Sequence, residues 1–157
     1  MRKIKFLAVC VMLAGLASIA IGATFIAEGV GKDNYLKEAM REEQITVGLG
    51  HEDLESGDLV DSGAEAQAAG DTIREHRRGI AATYEELLGE GRFDPSNPDH
   101  LTYAQALNLE NYLYLAAAAF GLTTVVIVSG IFMIISGLAF SGTGLVLFAF
   151  TRKETKV

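Results

Sequence analysis

Cys10 is the only cysteine, so the chain can close no disulfide on itself and offers no thiol cluster for zinc or an iron–sulfur centre. Clustered Lys and Arg are missing from the whole middle of the chain. Positions 28 to 112 hold nineteen acids against seven bases, a net of −12. A phosphate-binding face needs the opposite balance, which excludes nucleic acid as a partner. Catalytic signatures are absent too: there is no phosphate-binding glycine loop with its Lys, no GxSxG elbow and no HExxH pair. Charge itself is missing from two long stretches, the 22 residues from Phe6 to Ala27 and the 38 from Leu113 to Phe150. A helix needs only about 20 apolar residues to cross a hydrocarbon layer of ~30 Å. Each stretch therefore reads as a membrane span.

Both stretches carry small residues at a period of seven. In the second these are Thr123, Gly130, Gly137 and Gly144; in the first, Ala8, Gly15, Gly22 and Gly29. Gly costs about 1 kcal/mol relative to Ala in a soluble helix, but in lipid small residues let two backbones approach closely. Laid antiparallel, the two sets match in order: Ala8 with Gly144, Gly15 with Gly137, Gly22 with Gly130, Gly29 with Thr123. The period implies a left-handed pairing at a shallow angle. The same faces would also serve between two copies of the chain, or against other membrane subunits.

Charge sets the expected topology. The ends hold Arg2, Lys3, Lys5, Arg152, Lys153 and Lys156 against one acid, Glu154. Positive flanks stay cytoplasmic, so both termini belong inside and the acidic middle outside the plasma membrane. A cleaved signal peptide is the alternative for the N-terminus, with Ala20, Gly22 and Ala23 as a small-residue site, but its apolar core is ordinarily only about 7–15 residues. A lipid anchor on Cys10 is disfavoured by the bulk of Val9. Cys10 reads as a small apolar filler within the span.

The expected architecture is mainly α: residues 1–5 cytoplasmic, a first span over 6–28, and an acidic helical outer domain over 29–112. A long apolar helix follows over 113–150, crossing the membrane at about 124–147, and a cytoplasmic tail covers 151–157. Between the spans, Gly29-Val30-Gly31-Lys32 is expected to loosen the backbone, with Asp33 or Asn34 capping a short helix that runs to about Gln44. Ile45-Thr46-Val47 reads as a brief strand, and Leu49 to Ser62 as an irregular loop. Ser62 opens an alanine-rich helix to about Gly79, with Ala66, Ala69, Ile73, His76 and Ile80 on one face. Thr83-Tyr84-Glu85-Glu86 has the form of a capping box, Arg92-Phe93-Asp94-Pro95-Ser96 of a turn, and Asn97-Pro98 of a helix start. If Gly29 is level with Thr123, Leu113 to Leu122 rises ~15 Å above the lipid. Tyr112, Tyr114, Leu115 and Phe120 would then complete a core that the outer segment alone supplies thinly; the competing reading puts Tyr112 and Tyr114 in the headgroup belt and lets Ser141 to Phe150 kink and lie along the inner surface.

Three histidines, His51, His76 and His100, share the outer segment with many carboxylates. Two His and a carboxylate are a known ferrous-iron set, but the separations here follow no ligand spacing. The acids around His51, from Glu52 to Asp61, lack the ligand order of a calcium loop and read as a solvated face. His76 and Tyr84 are the candidate functional side chains; no cofactor or metal is assigned.

The order Ile45-Thr46-Val47, Thr72-Ile73 through His76, Thr83-Tyr84-Glu85-Glu86-Leu87, Asp94-Pro95 and Phe120-Gly121 resembles a family of small two-span actinobacterial membrane proteins. Automated labels often call that family aromatic ring-opening dioxygenases. The chain departs from it in lacking Gly-Gly-Lys before the Thr-Tyr pair. The resemblance implies two spans around an outer segment and brings no established activity. The expected function is a non-enzymatic membrane protein of the cell envelope, structural, accessory or partner-binding. It would sit in the lipid bilayer, paired with other membrane subunits or with itself. The alternative is a metal-dependent enzyme or metal sensor built on the outer histidines.

Overall fold

The computed structural model describes residues 2–46 and 57–153. Among the described residues four helices follow one another: α1 (Arg2–Glu42), α2 (Gly63–Ile80), α3 (Tyr84–Leu88) and α4 (Pro98–Lys153). The contacts divide the chain into two units. One holds residues 1–32 with 123–157, the other residues 33–122.

α1 does not break where its glycines invite it to. The expected loosening at Gly29 to Lys32 and the separate helix from Asp33 are replaced by one helix of 41 residues. No proline interrupts this stretch. The glycines weaken it by about 1 kcal/mol each. Two gains further on offset that cost: Asp33 pairs with Lys37 one turn later at 2.8 Å, and Met40 is buried in the core of its unit. The helix ends with Arg41 in its last turn, where a cation suits the dipole. Gln44 then takes a left-handed φ of 52° and its N–H bonds back to the Arg41 carbonyl.

In the first unit α1 and α4 pack antiparallel, and nearly all their bulk faces outward. Phe6 is 73% exposed and Phe132 69%, with Leu13, Leu16, Leu138 and Leu145 in the same state. Only 17% of the most apolar window of either helix is buried within the molecule. The core helix of a water-soluble protein hides its apolar side chains, and a continuous apolar surface of this kind marks an interaction site. Cys10 belongs to this outer surface and fills no gap between the helices.

The second unit has a conventional core. Met40, Val60, Ala66, Ala69, Leu113, Ala116 and Phe120 form one buried cluster, flanked by Leu36, Ile45, Ile73 and Leu109. Leu113, Ala116 and Phe120 recur at helical spacing on one side of α4. Tyr112 and Leu115 fall off that side and stay exposed, so they do not complete the core as expected, while Phe120 does. Among the described residues the β-branched run after α1 forms an antiparallel bridge, Thr46 to Leu59, with the Val60 N–H bonded to the Ile45 carbonyl at 2.8 Å. Val47 and the acidic loop from Gly48 to Ser56, His51 included, lie outside the described residues. α2 is capped by Ser62, whose hydroxyl accepts the Glu65 N–H. It approaches α4 closely through two glycines: a side chain at Gly63 would meet Phe120, and one at Gly70 would meet the Tyr114 ring. Leu113 is fully buried in this cluster. Its truncation to Ala is expected to destabilise the unit by about 2–5 kcal/mol, measured by denaturant unfolding; a loss below ~1 kcal/mol would mean the cluster is not packed.

Local chemistry shapes the remaining connections. Thr83 caps α3 by accepting the Glu86 N–H at 3.1 Å, and the Glu86 carboxylate reaches back to the Ala82 N–H at 3.0 Å. Gly89 closes the helix at φ 56°, a conformation that glycine adopts without strain. The Asp94 carboxylate accepts both the N–H and the hydroxyl of Ser96, which holds it below the usual carboxylate range. Asn97 then accepts the Asp99 N–H, and Pro98 occupies the first helical position of α4.

Candidate functional site

Two constellations stand out, one in each unit. The first is the seam of small residues between α1 and α4. A methyl added at Gly15 would lie 2.6 Å from the Gly137 carbonyl oxygen, and one at Gly137 would lie 2.6 Å from that of Gly15. Gly22 and Gly130 stand in the same mutual relation, at 2.6 and 2.7 Å. At Gly144 the added carbon would meet Met12 and the Ala8 carbonyl; at Gly29 it would meet Ile127 and, at 3.4 Å, the Thr123 carbonyl. Backbone carbonyls cannot swing aside as a long side chain can, so Gly15, Gly22, Gly130, Gly137 and Gly144 leave no room for a Cβ, whereas at Gly29 it is the Ile127 side chain that would have to give way. Ala8 and Thr123 are buried in the same seam. Ser18 adds a hydrogen bond across it, donating to the Met133 carbonyl at 2.8 Å. An interhelical hydrogen bond of this kind contributes about 0.6–2 kcal/mol in a membrane.

The second constellation is a polar clasp between α2 and α4. Arg77 is buried, and its Nε donates to Glu110 Oε2 at 2.6 Å. Its Nη1 donates to the Tyr103 hydroxyl, and the guanidinium carbon lies 4.8 Å from the Tyr103 ring centre. The hydrogen bond to Glu110 raises the Arg77 pKa above its ordinary value although burial opposes it, so the guanidinium stays charged. Nearly two turns earlier on α2, Asp71 accepts the Tyr114 hydroxyl at 2.6 Å and Arg74 Nη2 at 2.7 Å. Every one of these charges has an opposite partner. As a whole the clasp fixes the rotation of α2 about its axis.

Burial, and then the hydrogen bond to Asp71, push the Tyr114 hydroxyl up to about 12. This residue lies outside the span expected at about 124–147. A raised value for an acid means the neutral form is favoured by folding. The stability it contributes is present below the ordinary tyrosine value and lost as pH rises through about 12. Tyrosinate absorbance should therefore show a step near pH 12, and Tyr114→Phe should remove that step. Uniform titration near the ordinary value would contradict the clasp.

The structure treats the sequence candidates unevenly. His76 is exposed, off the face it was expected to share, and Arg77 takes the buried place beside it. A wheel of apolar residues gives no hint of this, because what buries Arg77 is a carboxylate 33 positions away. His100 accepts the Asp94 N–H on Nδ1 at 3.0 Å and stacks on Phe93. Tyr84 is half exposed, its ring tilted against Tyr103 at 6.2 Å. Among the described residues no group of three His, Cys, Asp or Glu is placed to hold a metal ion. Comparison with protein-family models, with curated proteins and with solved structures finds no match.

Proposed function

We propose that this chain is an integral membrane protein of the cell envelope. It crosses the bilayer twice, with both termini cytoplasmic and the acidic segment outside, and serves as a structural, accessory or partner-binding subunit without catalysis of its own. The observation that carries this reading is the distribution of side chains in the first unit. Two helices long and apolar enough to span a membrane turn their bulk outward and meet through glycine. Lipid chains are the solvent that such a surface fits, and small residues are what helices use to associate there. The orientation follows from the cations at both ends and the acidic excess between them. The motif order shared with the small two-span actinobacterial proteins is part of this proposal and adds no activity to it.

Site-directed labelling tests both insertion and orientation. With Cys10 replaced by Ala, single cysteines at Asp58 and Lys156 are treated in intact cells with a membrane-impermeant maleimide. Labelling at position 58 only is expected, with position 156 reacting after lysis. The reverse pattern would overturn the orientation, and release of the protein by alkaline carbonate would overturn the insertion.

A further inference from the structure

Beyond its anchoring role, the second unit carries a shallow cavity of about 370 Å³ between α3 and α4, within the size range of small-molecule sites. It is lined by Tyr84, Phe93, Ala104, Leu107, Asn108 and Asn111. The four α4 residues recur at i, i+3, i+4 and i+7, so they form one stripe of the helix and the floor of the cavity. Ala104 and Leu107 make that floor apolar. Tyr84 and Phe93 stand beside it as aromatic walls, and each is in contact with a second ring. The Tyr84 ring rests against Tyr103, while Phe93 stacks on His100 at 5.7 Å between ring centres.

Asn108 and Asn111 are exposed, and among the described residues neither side-chain amide makes a hydrogen bond. Each amide offers an acceptor oxygen and a two-proton donor. That combination matches hydroxyl groups, which both give and take. Among the described residues no charged group lines the cavity, and the acidic excess of the segment around it repels anions. A ligand fitting all of this is neutral, flat and apolar on one face, and edged with hydroxyls or amides. A sugar ring answers that description: its C–H face lies on an aromatic ring and its equatorial hydroxyls meet the carboxamides.

We propose that this cavity binds a neutral saccharide, with Tyr84 and Phe93 stacking on the ring and Asn108 and Asn111 reading its hydroxyls. The proposal rests on the geometry of this unit alone, so its failure leaves the membrane reading intact, and the reverse also holds. The test uses the full chain in lipid nanodiscs, freed of glycoside detergents that would compete. Chitotriose and maltotriose are added at millimolar concentration, and saturation-transfer NMR reads contact with their ring protons. Transfer to at least one sugar is expected, with Kd weakened tenfold or more in N108A/N111A. Both asparagines are exposed, so this variant keeps its fold, which the late Tyr114 titration verifies. Ala104→Leu fills the floor without removing a hydrogen bond and is expected to abolish transfer as well. Absence of transfer to both sugars, or transfer unchanged in the two variants, would overturn the proposal.

Discussion

Replacing Gly22 with alanine is expected to weaken the pairing of α1 and α4, although alanine is the better helix former. Propensity alone favours the substitution by about 1 kcal/mol. Against it, the new methyl would lie 2.6 Å from the Gly130 carbonyl oxygen and 3.0 Å from Ile134. Overpacking of this kind typically costs about 1–3 kcal/mol, and here the obstacle is backbone, which puts the cost at the upper end. Gly22→Leu should separate the helices altogether. Gly121, Gly142 and Gly31 supply the control, because a side chain there would meet nothing within 4 Å. Alanine at those three is expected to be neutral or stabilising by up to ~1 kcal/mol. Thermal stability in nanodiscs, read for the two classes side by side, checks the opposition of sign. Equal behaviour of Gly22→Ala and Gly142→Ala would mean that the glycines are there for composition and not for contact.

The second large effect is expected at the clasp. The Arg77 and Glu110 side chains are only 9% and 8% exposed, so removing one partner strands a buried charge. Such losses run to about 3–5 kcal/mol. Arg77→Met and Glu110→Leu should each unfold the second unit at markedly lower denaturant concentration. The double variant should recover most of the loss, because a well-packed apolar pair of similar volume is often as stable as the ion pair it replaces. The exposed pair between Arg41 and Asp61, at 2.6 Å, makes the contrast. Breaking it with Arg41→Gln should cost about 1 kcal/mol or less, since solvent screens it and the arginine side chain is 59% exposed. A double-mutant cycle separates these outcomes. Additive losses at Arg77 and Glu110 would show that the two side chains act independently.

Local chemistry made part of this fold readable in the sequence, and distance hid the rest. Ser62, Thr83 and the Asn97-Pro98 pair mark helix starts because the capping atoms and the helix they cap are neighbours in sequence. The two long helices are equally plain, since uncharged apolar runs of such length are what a bilayer crossing requires and what a water-soluble helix seldom carries. The seam is visible as a heptad because its requirement, no Cβ, falls on one residue type at one period. Continuity of α1 was hidden. The Gly-Val-Gly-Lys segment carries a real local penalty, and the compensation lies in Met40 and the core it joins. His76 and Arg77 show the same limit more sharply. Apolar periodicity puts a histidine inward and an arginine outward, and the structure does the opposite because Glu110 and Tyr103 wait on α4. A buried charge obeys its partner, and no pattern within α2 contains that partner.

The pairing of α1 and α4 within one chain, along the glycine seam and inside the bilayer, is open to cross-linking at Ser18 and Met133, which a hydrogen bond already joins. With Cys10 replaced by Ala, cysteines at 18 and 133 should be joined by a short bismaleimide in native membranes, leaving the protein monomeric in the gel and its tryptic peptides linked. A companion pair at 18 and 122, offset by roughly 16 Å along α4, should stay unlinked. Linkage that appears only between two chains, or equal linkage of both pairs, would contradict the hairpin.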